Sequence, residues 1–296
     1  MMPAETTATI PDSVARQAAA DGRLDAATVF ALAATTDILA LGALADDARR
    51  RRHGATATFV RVHGLDLADR STWTAAPPTA QEVRLTGTPA SLDDAVEAVL
   101  QARPLAGACV LRGFSAAEIF RFGGEAGCRA LAAAGLDELA LVHAGPGAAD
   151  AVRGARQAGI AVRVVGVEQE PADRAAWLLA VRALQDEVGG LHAVAPLPRV
   201  IDPTRPTTGF SDVRQVALAR LVLEGVPSVQ VDWLIYGPKL AQVALTVGAD
   251  DLDAVPAVDD LAQGARRATL EDLRRNITAA GLSPAERTGR HARLGA

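Results

Sequence analysis

Short apolar runs alternate regularly with longer amphipathic segments along most of the chain. The short runs are rich in β-branched residues and predict seven strands, at residues 56–62, 82–86, 107–112, 138–143, 161–167, 191–196 and 228–234. The longer segments predict helices between them, at residues 91–103, 115–134, 148–158, 171–188, 211–224 and 238–247. Each predicted helix is long enough to connect one parallel strand to the next.

This alternation of strand and helix predicts an α/β fold in which parallel strands are covered by helices. Seven or eight such units within about 250 residues favour a TIM-type (β/α) barrel, with a doubly wound open sheet as the alternative. Helices at residues 11–20 and 26–52 precede the first strand. We therefore expect an N-terminal helical extension over residues 1–54 and a (β/α) barrel with C-terminal helices over residues 55–296.

The composition limits the partners of the chain. A formal net charge of -5 gives no general attraction to nucleic acid or to an anionic membrane, so neither partner is expected. The N-terminus lacks a basic stretch followed by an apolar segment, which predicts a cytoplasmic location. Cys109 and Cys128 are the two cysteines, too few for a disulfide framework or a cysteine-only metal site.

Several stretches carry a family resemblance. The first is DILALGALAD at residues 37–46, which leads into the first strand. The others lie in the second half: LQDEVGG at 184–190, TGFSD at 208–212, ARL at 219–221, GPKLAQVAL at 237–245 and GADDLD at 248–253. Together they resemble the radical S-adenosylmethionine (SAM) family of menaquinone (futalosine pathway) and deazaflavin biosynthesis, nearest to its aminofutalosine synthase branch. The resemblance implies a radical SAM barrel, a 4Fe–4S cluster and SAM.

The middle of the chain departs from this family. Members carry a CxxxCxxC motif after the first strand, whose thiolates hold the cluster, whereas residues 64–79 contain no cysteine. The glycine-rich GGGAE stretch and the GHxE stretch of the family are replaced by LVHAGP at 141–146 and GVEQ at 166–169. We therefore expect a degenerate member that uses no cofactor, has no metal ligands and is not an active radical SAM enzyme.

Candidate ligand-binding residues are those that directly follow the strands, because the working groups of a parallel barrel lie at the carboxyl ends of its strands. They are His63, Asp66, Arg112, His143, Glu168, Arg199, Trp233, Tyr236 and Asp250. Trp233 and Tyr236 offer rings that could stack on a purine. A polar barrel mouth without a specific role explains the charged members of the set equally well.

The expected function is that of a paralogue or partner subunit in the menaquinone pathway that binds a nucleoside-like or SAM-like small molecule. The alternative is an enzyme with non-radical chemistry on the same barrel, in which His63, His143 and Glu168 act as acid, base or ligands of a single metal ion. A third possibility is an aminofutalosine synthase, which the resemblance favours and the missing cysteines oppose. No catalytic residue can be assigned from the sequence.

Overall fold

The computed structural model describes residues 9–20, 22–204, 207–259 and 269–295. Nine strands form one parallel sheet: β1 (Thr56–Asp66), β2 (Glu82–Thr86), β3 (Val110–Ser115), β4 (Glu138–His143), β5 (Val164–Gly166), β6 (Ala193–Ala195), β7 (Ser228–Asp232), β8 (Asp251–Pro256) and β9 (Ser283–Glu286). β1 pairs with both β2 and β8, which closes β1 to β8 into an eight-stranded barrel. The predicted barrel is confirmed, and the open sheet is excluded.

Helices before and between the strands cover the outside of the barrel. They are α1 (Asp12–Ala19), α2 (Ala26–Ala34), α3 (Ile38–His53), α4 (Leu92–Ala106), α5 (Ala116–Phe122), α6 (Gly124–Ala134), α7 (Ala148–Gln157), α8 (Arg174–Val188), α9 (Gly209–Val222), α10 (Trp233–Leu245) and α11 (Leu270–Ala279). A 3-10 helix at Leu67–Thr72 follows β1. The predicted helices before the first strand are confirmed, while the domain boundary at residue 54 stays a prediction. None of the described helices is both long and apolar enough to cross a lipid bilayer.

Two strands, β8 and β9, were not predicted from the sequence. β8 was not predicted because Asp251 and Asp253 interrupt its apolar run, and β9 is a short segment with a proline, SPAE. β9 pairs in parallel with the first part of β1, from Thr56 to Phe59, whereas β2 pairs with its last part. The end of the chain therefore lies against the amino-terminal end of the barrel.

Charged side chains, rather than branched apolar ones, occupy one half of the barrel interior. In β2 the sequence EVRLT places Glu82 and Arg84 on one face and Val83 and Leu85 on the other, because side chains alternate along a strand. Arg84 on β2 donates to both oxygens of Asp253 on β8, at 2.8 and 3.1 Å. β2 and β8 flank β1, so these groups meet on the concave side of the sheet.

Further buried arginines extend this interior network. Arg112 on β3 contacts Glu138 at 2.7 Å and Glu82 at 3.2 Å. Arg287, just after β9, donates to both oxygens of Asp251, each at 2.7 Å. The interior network is therefore defined by these residues: Glu82, Arg84, Arg112, Glu138, Asp251, Asp253 and Arg287, all of them buried.

We expect the substitution Arg287→Met to lower the free energy of unfolding by about 3–5 kcal/mol, because it leaves the buried carboxylate of Asp251 without its cation. Urea unfolding followed by circular dichroism measures this change. Arg275→Met is the matched control, since Arg275 forms ion pairs on the exposed face of α11 and its loss should change stability little. Equal destabilisation by the two substitutions would contradict a structural role for the interior network.

Candidate functional site

The loops that follow the strands form the mouth of the barrel, and six predicted site residues lie there: His63, Asp66, His143, Glu168, Arg199 and Tyr236. His63 lies near the end of β1, with its Nε2 atom 2.9 Å from the carbonyl oxygen of Thr74. Asp66 lies at the rim and accepts a hydrogen bond from the backbone N–H of Ala68 at 3.0 Å, which caps the 3-10 helix. These two residues thus order the loop after β1.

Arg112 and Asp250 do not lie at the mouth, which corrects their prediction as rim residues. Arg112 belongs to the interior network, where two carboxylates occupy its guanidinium. Asp250 precedes β8 and therefore lies at the opposite end of the barrel, because the strands are parallel. There it forms an ion pair with Arg220 and accepts hydrogen bonds from Ser228 Oγ and the backbone N–H of Val229, both at 2.8 Å.

Trp233 is also misplaced by the sequence analysis. Its ring is only 1% exposed and belongs to the hydrophobic core, so it offers no open face for a purine. Asp232 immediately before it caps α10 by accepting a hydrogen bond from the N–H of Ile235 at 2.9 Å. The strand thus ends two residues earlier than the apolar pattern predicts, and Trp233 is the first residue of α10.

His143 and Glu168 form a pair at the ends of the adjacent strands β4 and β5, with 3.5 Å between Nε2 and Oε2. Burial lowers the pKa of His143, an effect that the carboxylate of Glu168 opposes and the cation of Arg199 reinforces. Glu168 is exposed, with 55% of its side chain accessible. A neutral imidazole beside an exposed carboxylate is suited to accept a proton from a bound molecule.

His63 does not join this pair, because two strands, β2 and β3, lie between β1 and β4 in the barrel. Within the described ranges, no three side chains of histidine, cysteine, aspartate or glutamate come together so as to hold a metal ion. The predicted combination of His63, His143 and Glu168 around one metal ion therefore lacks the geometry it needs. Proton transfer by His143 and Glu168 remains open.

A cavity of about 410 Å³ opens between the loops that follow β5 and β6. Its walls include Gln169, Glu170, Pro198, Thr207 and Tyr236. Tyr236 is half-buried, and its hydroxyl donates a hydrogen bond to the carbonyl oxygen of Pro198 at 2.6 Å. Burial also raises the pKa of this phenol, so it stays protonated. This volume lies within the range of small-molecule sites.

A second, much smaller cavity of about 20 Å³ lies beside the first and shares Pro198 and Tyr236 with it. Charged groups line it: Arg199 after β6, Asp232 at the end of β7 and Asp253 on β8. Asp253 was missed by the sequence analysis, although the alternation of Asp251 and Asp253 with apolar residues is the signal that could have revealed it. The two cavities together form the candidate ligand site.

Comparisons with known proteins match part of this site. Residues 194–294 match the family model described as the CofH/MqnC C-terminal region. The aminodeoxyfutalosine synthase of Streptomyces coelicolor is 33% identical over 144 residues, which cover 42% of this chain and 37% of that protein. The 5-amino-6-(D-ribitylamino)uracil–L-tyrosine 4-hydroxyphenyl transferase 1 of Methanosarcina barkeri is 31% identical over 159 residues, 47% of this chain and 42% of that protein. The chain thus spans about two fifths of the length of these relatives.

Solved structures agree on the fold. Methylornithine synthase superimposes with a TM-score of 0.66 at 12% identity, over 92% of this chain and 97% of that one. This likeness extends over most of the chain and shows the fold, a TIM-type barrel with helices before the first strand. The predicted resemblance to the family of aminofutalosine synthase is confirmed by these findings.

The expectation that the protein uses no cofactor is wrong. It rested on missing cysteines, whereas the comparisons relate the chain to radical SAM enzymes, which use a 4Fe–4S cluster and SAM. The two thiols of this chain do not themselves fit three-thiolate ligation: Cys128 is buried in α6, and Cys109 lies near β3 with its Sγ 3.3 Å from the carbonyl oxygen of Ala80.

Acidification should destabilise the wild-type protein more than the variant His291→Asn. Burial lowers the pKa of His291, and the cation of Arg287 lowers it further, so the folded state binds a proton at this ring less readily than the unfolded state. The contribution of His291 to stability is thus lost as the pH falls below about 6.5, the value of an unperturbed histidine. Asparagine suits this position because residue 291 has a φ of 64°.

Thermal unfolding between about pH 7.5 and pH 5 tests this prediction. The relevant quantity is the change in melting temperature with pH for each protein, not the absolute stability of the variant, which loses the ring contact between His192 and His291. An equal pH dependence in both proteins would contradict it.

Proposed function

We propose that the mouth of this barrel binds a nucleoside-sized small molecule, in a protein related to aminofutalosine synthase. The main support for this proposal is the cavity of about 410 Å³ beside Tyr236, at the carboxyl ends of the strands. Ligands of parallel barrels bind at this end because loops from several strands converge there. A volume of this size accommodates a purine and a ribose.

The chemistry of the cavity walls supports this assignment. Tyr236 supplies an aromatic ring whose hydroxyl is already fixed on Pro198, so the ring is held in place before a ligand arrives. Polar groups of Gln169, Glu170 and Thr207 are suited to the hydroxyl groups of a ribose. Val200 and Ile201, each about half exposed, add apolar surface at the rim.

A role in menaquinone biosynthesis, as an enzyme or as a partner subunit, is part of the same proposal. Its support is the named relative in Streptomyces coelicolor and the match of residues 194–294 to the CofH/MqnC family model. The lining residues Pro198, Val200, Thr207 and Tyr236 lie within the matched range. These wall residues, though not Gln169 and Glu170, therefore belong to the part of the chain that matches the family model.

Calorimetric titration with adenosine tests the ligand class. We expect measurable binding that Tyr236→Ala weakens about 5- to 150-fold, because aromatic stacking on a base contributes about 1–3 kcal/mol. Tyr236→Phe should retain most of the affinity, since it keeps the ring and loses only the hydroxyl. Phe30→Ala is the matched control, because Phe30 is an exposed aromatic residue on α2, before the barrel. Absence of binding at millimolar adenosine would overturn the proposal.

Proton transfer is a second candidate function, favoured by the distance of 3.5 Å between His143 and Glu168. If His143 removes a proton from a carbon atom of the bound molecule, that position will exchange with deuterium oxide faster in the presence of the protein. Nuclear magnetic resonance of adenosine and of futalosine-like nucleosides in deuterium oxide detects the exchange. We expect His143→Gln to abolish the enhancement and Glu168→Gln to reduce it. An exchange rate that His143→Gln leaves unchanged would exclude this role.

A further inference from the structure

The chain folds back on itself after β9 and forms a short hairpin. The backbone N–H of Leu294 donates to the carbonyl oxygen of Glu286 at 2.9 Å, and that of Thr288 donates to the carbonyl oxygen of Ala292 at 2.8 Å. We call residues 286–294 the C-terminal hairpin. It begins beside the first part of β1, so it lies at the amino-terminal end of the barrel, opposite the mouth.

The hairpin packs closely against the starts of β2 and β3. The N–H of Gly289 donates to the carbonyl oxygen of Gln81 at 3.2 Å, and its carbonyl oxygen accepts a hydrogen bond from Arg112 at 3.2 Å. A Cβ atom on Gly289 would lie 2.9 Å from the carbonyl oxygen of Gln81 and 3.1 Å from the Cβ atom of Val110, which leaves no room for a side chain. The C-terminal hairpin therefore covers part of the amino-terminal opening of the barrel.

Two histidine rings hold the far end of the hairpin. The ring centroid of His291 lies 4.4 Å from that of His192, which precedes β6. The N–H of His192 donates to the carbonyl oxygen of Arg163 at 2.7 Å, so this residue is fixed on the barrel, whereas His291 belongs to the hairpin. Nε2 of His291 is buried and has no hydrogen-bond partner among the described residues. A ring charged at both nitrogens would therefore leave an N–H buried without an acceptor.

The charged groups that face these rings favour their neutral form. Burial lowers the pKa of both His192 and His291, and the cation of Arg287 lowers both further. Arg163 acts in the same sense on the pKa of His192, and Arg112 does so on that of His291. The rings are therefore neutral while the hairpin is closed.

Three carboxylates face the same rings and favour a proton there, but each of them already binds an arginine. They are Asp250 with Arg220, Asp251 with Arg287 and Asp253 with Arg84. A proton on either ring thus adds a charge that no free carboxylate of this set compensates.

We propose that His192 and His291 form an acid-sensitive latch, in which protonation of the rings releases the C-terminal hairpin from the barrel before the barrel itself unfolds. The closed hairpin binds protons less readily than the open one, so a fall in pH favours opening. Segments of low local stability open in this way while the rest of a protein stays folded. The latch is independent of the proposed function.

Opening of the hairpin reaches the candidate ligand site through the barrel interior. Arg287 of the hairpin donates to both oxygens of Asp251, each at 2.7 Å. Oδ2 of Asp251 also accepts a hydrogen bond from Nε2 of Gln230 at 2.8 Å, and Gln230 lines the smaller cavity at the mouth. Release of Arg287 therefore removes a charge that holds one wall of the candidate site.

Hydrogen–deuterium exchange of the full chain at about pH 7.5 and about pH 5, corrected for the intrinsic exchange rate at each pH, tests the latch. A histidine that is neutral in the closed state and unperturbed in the open one raises the open fraction about 30-fold between these pH values. We expect the amides of the C-terminal hairpin to lose protection by that factor or more, whereas those of β5 and β6 keep theirs. His192→Gln and His291→Asn should each reduce the factor, and the double variant should abolish it.

Two matched variants separate the latch from packing. Gly289→Ala should lower the protection of the hairpin at both pH values and leave their ratio unchanged, because it disturbs the docking without removing a titrating group. His63→Gln removes a histidine at the opposite end of the barrel and should change neither value.

Nuclear magnetic resonance of ¹³C-labelled histidine rings gives a second measurement. The rings of His192 and His291 should stay neutral down to the pH at which the hairpin loses protection. Titration of either ring while the hairpin stays protected would overturn the latch, as would an unchanged pH effect in the double variant. Equal loss of protection in the hairpin and in β5 and β6 would show that acid unfolds the whole barrel, which also overturns it.

Discussion

The barrel depends on the pairing of buried charges inside it. Four carboxylates, Glu82, Glu138, Asp251 and Asp253, are buried there, and leaving one of them without a cation would cost several kcal/mol. Arg84 and Arg112 supply cations from within the strands, and Arg287 supplies one from beyond β9. Burial opposes the ionisation of Asp253, but Arg84 outweighs it and holds the pKa of Asp253 below its usual range. The network therefore requires β2, β8 and the end of the chain to be in register at the same time.

The same network determines the electrostatics of the mouth. Arg84 and Asp253 satisfy each other, so Arg199 and Asp232 at the neighbouring strand ends face a neutralised pair. Next to them, after β4 and β5, the pair of His143 and Glu168 is more exposed and is uncharged at the imidazole at neutral pH. The mouth thus has a charge-bearing side at β6 and β7 and a proton-accepting side at β4 and β5.

The sequence was sufficient to predict the architecture but not the site. The spacing of apolar residues along the chain predicted seven strands. These runs are recognisable because the outward face of each strand is apolar where it packs against helices. β8 escaped because its inward face carries Asp251 and Asp253, which look like loop residues in isolation. Asp250 was misassigned for the same reason: without β8, its position before the strand could not be distinguished from one after it. Trp233 was assigned to the rim because one end of a strand was placed two residues too far along the chain.

The expectation of a protein without a cofactor shows a different limit. The missing cysteines concern only the loop after β1, whereas the similarity to related proteins concerns the whole fold. Here the two observations point to opposite conclusions about a cofactor.

The region matched to the family model, residues 194–294, contains Arg199, Asp232, Tyr236 and Asp253. It also contains Arg287, which anchors the end of the chain to the barrel interior. The candidate ligand site thus lies only partly within this stretch, since Gln169 and Glu170 also line the larger cavity, and the ion pairs beneath it reach back to Arg84 and Arg112 in the first half of the chain. Asp253 lies in the matched stretch and contacts Arg84 of β2. A change in the matched region that altered the interior charges would therefore also disturb the first half of the barrel. The shape of the candidate site is thus coupled to the stability of the whole fold.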